Sequence, residues 1–90
     1  MFKIIETKIY IKKIRKFLKK HPNLFKKYEK TIFLLEENPY HPSLRLHKLQ
    51  GNLKEYFSIS LDLEYKIILD FVIIESEIYL LDIGSHDEVY

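Results

Sequence analysis

From Lys54 to Ile83 the chain alternates apolar runs with short polar breaks. Tyr56–Leu61, Tyr65–Ile74 and Ile78–Ile83 are each of strand length, and their spacing predicts a three-stranded antiparallel meander. In the first run Phe57, Ile59 and Leu61 alternate with Tyr56, Ser58 and Ser60, which makes one apolar face and one that carries hydroxyls. The second run is apolar on both faces. Tyr65, Ile67, Leu69, Phe71 and Ile73 share one side and Ile68, Val72 and Ile74 the other, with Lys66 and Asp70 its only charges. Such a strand belongs inside a sheet. Unpaired charges are costly to bury, so the face shared by Lys66, Ile68 and Asp70 must open in part to water or a ligand; it is the candidate site. The structural role open to Lys66 is an ion pair with Asp70 or Glu64.

Upstream, Phe2–Glu6 reads as a strand that joins the sheet, and Thr7 as a helix N-cap. Between Lys8 and Lys20, Tyr10, Ile14, Phe17 and Leu18 recur at helical spacing while lysines cover the rest, which predicts an amphipathic helix with a basic back. Pro22 ends that helix and opens a second, whose inward positions are Phe25, Tyr28, Ile32 and Leu35. Pro39 and Pro42 then stop it. Leu44–Leu49 alternates as a further strand, turned into the meander at Gln50-Gly51-Asn52. At the far end a Gly84-Ser85 turn releases His86–Tyr90 as a polar tail beside one end of the sheet. The order β-α-α-β-β-β-β predicts an α+β fold: an antiparallel sheet of four to five strands with an N-terminal helical hairpin packed on one face, residues 1–90 forming a single domain.

Composition narrows the function. Ninety residues suffice for one core and no second layer behind it. The absence of cysteine removes disulfides, thiolate nucleophiles and zinc–thiolate sites. No apolar run reaches membrane-spanning length and Met1–Thr7 lacks a signal-peptide pattern, so a cytoplasmic protein without a membrane partner is expected. Charge is segregated: residues 1–50 hold 13 Lys/Arg against 4 Asp/Glu, whereas residues 51–90 hold 2 against 9. The basic half suits a polyanionic partner such as nucleic acid, although a solvated lysine surface accounts for it as well. With Gly51 and Gly84 as its only glycines the chain has no phosphate-binding loop, and it has neither an HExxH nor a paired-carboxylate spacing. His21, His41, His47 and His86 form no compact ligand motif, so neither a metal nor another cofactor is expected.

What remains is a dispersed polar set that the strand order could gather: His47 and Lys48, Lys54 and Tyr56, Lys66, His86 and Tyr90. Together with its surroundings this set resembles a known family. Leu46-His47-Lys48-Leu49-Gln50-Gly51, Tyr56-Phe57-Ser58-Ile59-Ser60, Tyr65-Lys66-Ile67 and Leu81-Asp82-Ile83-Gly84-Ser85-His86-Asp87-Glu88-Val89-Tyr90 are similar to the RelE/ParE toxin superfamily. The likeness is closest to the RelE-like and YafQ-like mRNA interferases and covers essentially the whole chain. It implies the toxin of a type II toxin–antitoxin system, a metal-independent endoribonuclease that cleaves mRNA on the ribosome, held silent by a cognate antitoxin more acidic than this chain.

The resemblance implies functional roles for His47, His86 and Tyr90, which match the positions of the family's histidines and C-terminal aromatic. Two departures stand out: Ser60 occupies the place of a further histidine, and Asp82 that of an arginine. Lys66 replaces the arginine of relatives with a Tyr-Arg-Ile pattern, which keeps the cation and loses its bidentate fork. Cleavage through the RNA 2′-hydroxyl needs a base, a cation beside the phosphate and an acid for the departing 5′-oxygen. His47 and His86 suit proton transfer, Lys66 the phosphate and Tyr90 stacking on a base. Lys12, Lys13, Lys16, Lys48 and Lys54 are the candidate RNA-binding cations. Two other readings stay open: a ParE-like inhibitor of DNA gyrase without a catalytic site, and a catalytically weakened relative that only binds its antitoxin.

Overall fold

The structure, a computed structural model, describes residues 1–51 and 55–89, and of Ile73 the backbone alone. The elements in order are β1 (Lys3–Glu6), α1 (Lys8–Lys20), α2 (Phe25–Glu37), β2 (His47–Lys48), β3 (Phe57–Ser60), β4 (Tyr65–Val72), β5 (Glu77–Ser85) and α3 (His86–Val89). The strands form one sheet in the order β1-β5-β4-β3-β2, so β4 lies in its interior as its two apolar faces require. The meander pairs antiparallel, whereas β1 runs parallel to β5. The expectation of a purely antiparallel sheet is corrected at that pair. After the helical hairpin the chain re-enters the sheet as β2, opposed to β1, and the three reversals of the meander bring β5 back beside β1 in the same sense.

Both long helices cover one face. Tyr10 and Ile14 of α1 and Tyr28 and Leu35 of α2 meet Ile59, Ile67, Leu69, Ile78, Leu80 and Ile83 in the main core. Thr7 caps α1 as expected: its hydroxyl oxygen accepts from the Tyr10 amide at 3.3 Å and its own proton goes to the Leu80 carbonyl at 2.9 Å, which pins the helix start to β5. Across the hairpin the buried hydroxyls of Tyr10 and Tyr28 bond to each other at 2.7 Å.

Three local expectations are corrected. Pro22–Leu24 forms a separate 3-10 turn, so α2 starts at Phe25; that ring is about half exposed and Leu24 packs inward in its place. Residues 44–46 are not strand. Pro42–Leu44 is a 3-10 turn closed by the Ser43 amide on His41 Nδ1, Arg45 takes a left-handed conformation (φ 51°), and only His47–Lys48 pairs with β3. At the other end of β4, Ile73–Glu75 is a 3-10 turn rather than strand, leaving Ile74 exposed. The start of the meander at Lys54 and the Asn52 end of its leading turn lie outside the described residues. Among the described residues no helix is long and apolar enough to cross a membrane.

Candidate active site

Ser58, Ser60, Lys66 and His47 share the sheet face away from the helices. Alternation dictates this, because Ile59 and Ile67 point into the helix-covered core and their neighbours must point out. Register then pairs the groups. Ser58 stands between His47 and Ile68, and Ser60 opposite Lys66, two residues and so about 7 Å further along β3.

Lys66 makes neither of the ion pairs expected of it. Its ammonium donates to Ser60 Oγ at 3.1 Å and to the Asp62 carbonyl at 3.2 Å, while the Asp62 carboxylate caps the Glu64 and Tyr65 amides of the β3–β4 turn. A half-buried cation held by two neutral oxygens keeps its full charge for a third group. The exposed His47 ring lies with Nδ1 3.3 Å from the Arg45 carbonyl and Nε2 3.3 Å from the Ser58 hydroxyl. A carbonyl can only accept, so the Arg45 contact calls for a proton on Nδ1, while Nε2 meets a hydroxyl that can donate or accept.

The C-terminal segment closes this face. β5 continues through Ser85, which pairs with Tyr65, so the expected Gly84-Ser85 turn is absent. Ser85 instead caps α3. Its amide donates to Glu88 Oε1 at 2.8 Å and its hydroxyl accepts from the Glu88 amide at 3.4 Å, the reciprocal pair of a capping box. The Ser85 amide first and the Ser85 hydroxyl next, reinforced by Lys20 and His21, hold the Glu88 carboxyl below its ordinary range. His86 is the first residue of α3 and exposed, and Val89 is not part of a polar tail: it is buried in a second apolar cluster with Leu49 and Ile68. A Cβ on Gly84 would stand 3.1 Å from Val89 Cγ1 and 3.2 Å from Glu88, so the glycine lets α3 fold back over the strand that carries it. Leu49, Ile68 and Val89 thus form an apolar patch on the sheet face that carries His47 and Lys66, and α3, which His86 begins, packs on it through Val89. Tyr90 and Lys54 lie outside the described residues.

The candidate RNA-binding cations among the described residues do not gather there. Lys48 alternates with His47 and stands opposite Phe57, a residue of the helix-side core. Lys12 and Lys16 are exposed on α1, and Lys13 pairs with Asp82 at 2.8 Å. That pair depends on a bulge: Ile68 faces Asp82 but Leu69 faces Leu80, so Leu81 is the extra residue. Leu81 packs in the second cluster while Asp82 is re-aimed toward the helices. Its carboxylate therefore leaves the patch of Lys66 and His47.

On the helix side of the same sheet end α1 and the β5–α3 corner enclose an open cleft of about 450 Å³. Lys13, Lys16, Phe17, Lys20 and His21 form one wall and Tyr65, Asp82, Ile83, Gly84 and Glu88 the other. Among the described residues no three His, Asp or Glu side chains converge as metal ligands would.

No family model matches the sequence, and no curated protein does. Solved structures match its fold along the whole chain. A metal-bound toxin from Helicobacter pylori is 27% identical with a TM-score of 0.79 and 100% of each chain covered. The E. coli DinJ–YafQ complex matches at 17% identity and TM-score 0.78, covering 100% of this chain and 99% of that one. The YoeB–YefM complex from Staphylococcus aureus matches at 16% and 0.73, covering 96% and 98%.

Proposed function

From the fold of the RelE-like toxins, which this chain has, we propose that the protein is the toxin of a type II toxin–antitoxin system and a metal-independent endoribonuclease acting on ribosome-bound mRNA. The observation that carries the reading is the apolar patch of Leu49, Ile68 and Val89 on the sheet face that the helices leave open, with His47 and Lys66 on that face and α3, which His86 begins, packed on it through Val89.

In this reaction the RNA 2′-oxygen attacks the adjacent phosphorus. The O2′–P bond forms, the P–O5′ bond breaks, one histidine takes the 2′ proton and the other gives a proton to the departing 5′-oxygen. His47, its Nε2 3.3 Å from the Ser58 hydroxyl, and the exposed His86 would share these two roles. Lys66, reaching past Ser60, stabilises the charge that gathers on the phosphoryl oxygens. Tyr90 would stack on a flanking base. Lys12, Lys16, Lys48 and Lys54 would hold ribosomal or messenger phosphates beyond the patch, and an antitoxin would cover the patch. The toxin–antitoxin complexes among the structural neighbours support that partner.

Induction in cells tests the reading, with mRNA 5′ ends mapped beside markers of DNA damage. New 5′ ends within translated codons are the expected result. Damage with intact mRNA would replace the reading with a gyrase inhibitor, and neither response would leave a protein that only binds its antitoxin.

A further inference from the structure

The helix-side cleft lies around the sheet end from the patch, and the two are linked through single residues. Tyr65 lines the cleft while its neighbour Lys66 faces the patch, and Glu88 lines the cleft from the short helix that His86 begins. We propose that this cleft is a second binding site for single-stranded RNA, taking one base against an aromatic wall while lysines hold the phosphates on either side. The proposal rests on the reading that RNA is the ligand and extends the site beyond the patch.

Three observations support it. Phe17, His21 and Tyr65 close a triangle with ring centroids 4.7, 4.9 and 5.0 Å apart, yet all three are only half-buried, so ring surface faces the cleft. Exposed aromatic faces of this kind are what unstacked bases bind, whatever their identity. Second, the cleft's carboxylates are already engaged: Glu88 in the Ser85 capping box, Asp82 by Lys13 and the Ile83 amide. Among the described residues neither Lys16 nor Lys20 is within ion-pair distance of a carboxylate, although Lys20 acts on Glu88 across the cleft, so both ammonium groups can reach a phosphate. Third, aromatic and cationic side chains interleave along α1 as Lys16, Phe17, Lys20 and His21. An amphipathic peptide helix would need a continuous apolar groove, whereas a nucleotide chain needs this alternation.

The test is binding of a fluorescein-labelled 2′-O-methyl oligoadenylate, which lacks the attacking hydroxyl, to the purified full chain by anisotropy over a range of salt. Lys16→Ala and Lys20→Ala should each lower the slope of log affinity against log salt by about 0.7, the value for one phosphate contact on a single strand. His21→Ala should weaken binding by about fivefold or more at unchanged slope. Lys30→Ala, on the outer side of α2, should bind as the parent does. Parental affinity and slope in the lysine variants and in His21→Ala would overturn the proposal, as would a parent that does not bind the oligonucleotide. Variants that keep RNA but lose the antitoxin would assign the cleft to the antitoxin and overturn it as well. Cleft-dependent binding in a protein that cleaves no mRNA supports the cleft and counts against the nuclease reading alone.

Discussion

His86 opens a turn that its neighbours build. Ser85 and Glu88 cap the turn it starts, Gly84 lets that turn fold back, and Val89 anchors it on Ile68. Removing the imidazole should therefore leave the fold intact: His86→Ala is expected to melt within about 0.5 kcal/mol of the parent while cleaving a hundredfold to ten-thousandfold more slowly. Glu88 should act through position alone. Glu88→Gln keeps the capping box and should keep the Ser85 amide protected from hydrogen exchange; Glu88→Ala should lose that protection and slow cleavage, although neither variant touches the proposed proton-transfer groups. The pH dependence follows the sign of the shift. A carboxyl whose folded pKa is depressed contributes fully above the ordinary glutamate value of about 4.3, and its contribution is lost as pH falls through the lowered one. Ser85 amide exchange should accelerate in that acid window, and an unchanged rate there would contradict the box.

At the scale of elements, α1 is legible to its ends because Thr7 and Pro22 punctuate a clean apolar stripe, and β3 to β5 are legible as a meander, though not in where β4 and β5 end, because period-two alternation is interrupted only by short turns. Elements whose ends depend on local side-chain bonds were not. Residues 44–46 alternate like a strand, but the Pro42 turn and the Arg45 conformation override the pattern. α3 was announced by Ser85-x-x-Glu88, a pattern hard to weigh when a single apolar residue, Val89, follows it. The candidate patch was legible in part: Lys66 as a charge in a two-faced apolar strand, but not its bond to Ser60, nor the bulge that sends Asp82 to the helices.

The hairpin rests on a feature that periodicity hides, the Tyr10–Tyr28 hydroxyl pair. Tyr10→Phe should cost about 1–2 kcal/mol, since it strands a buried hydroxyl on Tyr28. Burial pushes Tyr28 up to about 12, against the opposing bond from Tyr10, and pushes Tyr10 higher still. Groups raised in the folded state stabilise it fully below the unfolded value, about 10 for tyrosine, and lose that contribution as pH rises through the folded ones. Alkaline unfolding above that value should be steep in the parent and shallower in Tyr10→Phe, as followed by circular dichroism.

Over the whole molecule, charge follows layer. α1 and α2 carry ten of the fifteen Lys/Arg, whereas most acids lie in the meander and its turns. Association with ribosomes should therefore weaken steeply as salt rises, and a double substitution of exposed α1 lysines such as Lys12 and Lys19 should flatten that dependence without changing cleavage of bound message. Sedimentation with ribosomes across a salt series measures it; a salt-independent bound fraction would remove the basic layer from the account.

The central claim is that the open sheet face cuts RNA with His47 and His86 as the groups that take the 2′ proton and protonate the departing 5′-oxygen, beside Lys66. Its most direct test is the single-turnover cleavage rate of a message held on purified ribosomes, comparing the parent with His47→Ala, His86→Ala and Lys66→Ala proteins that each melt cooperatively and bind antitoxin. The account predicts rapid cleavage by the parent and losses of about a hundredfold or more in both histidine variants. A parent that cuts while a folded, antitoxin-binding His86→Ala protein cuts at the same rate would contradict it.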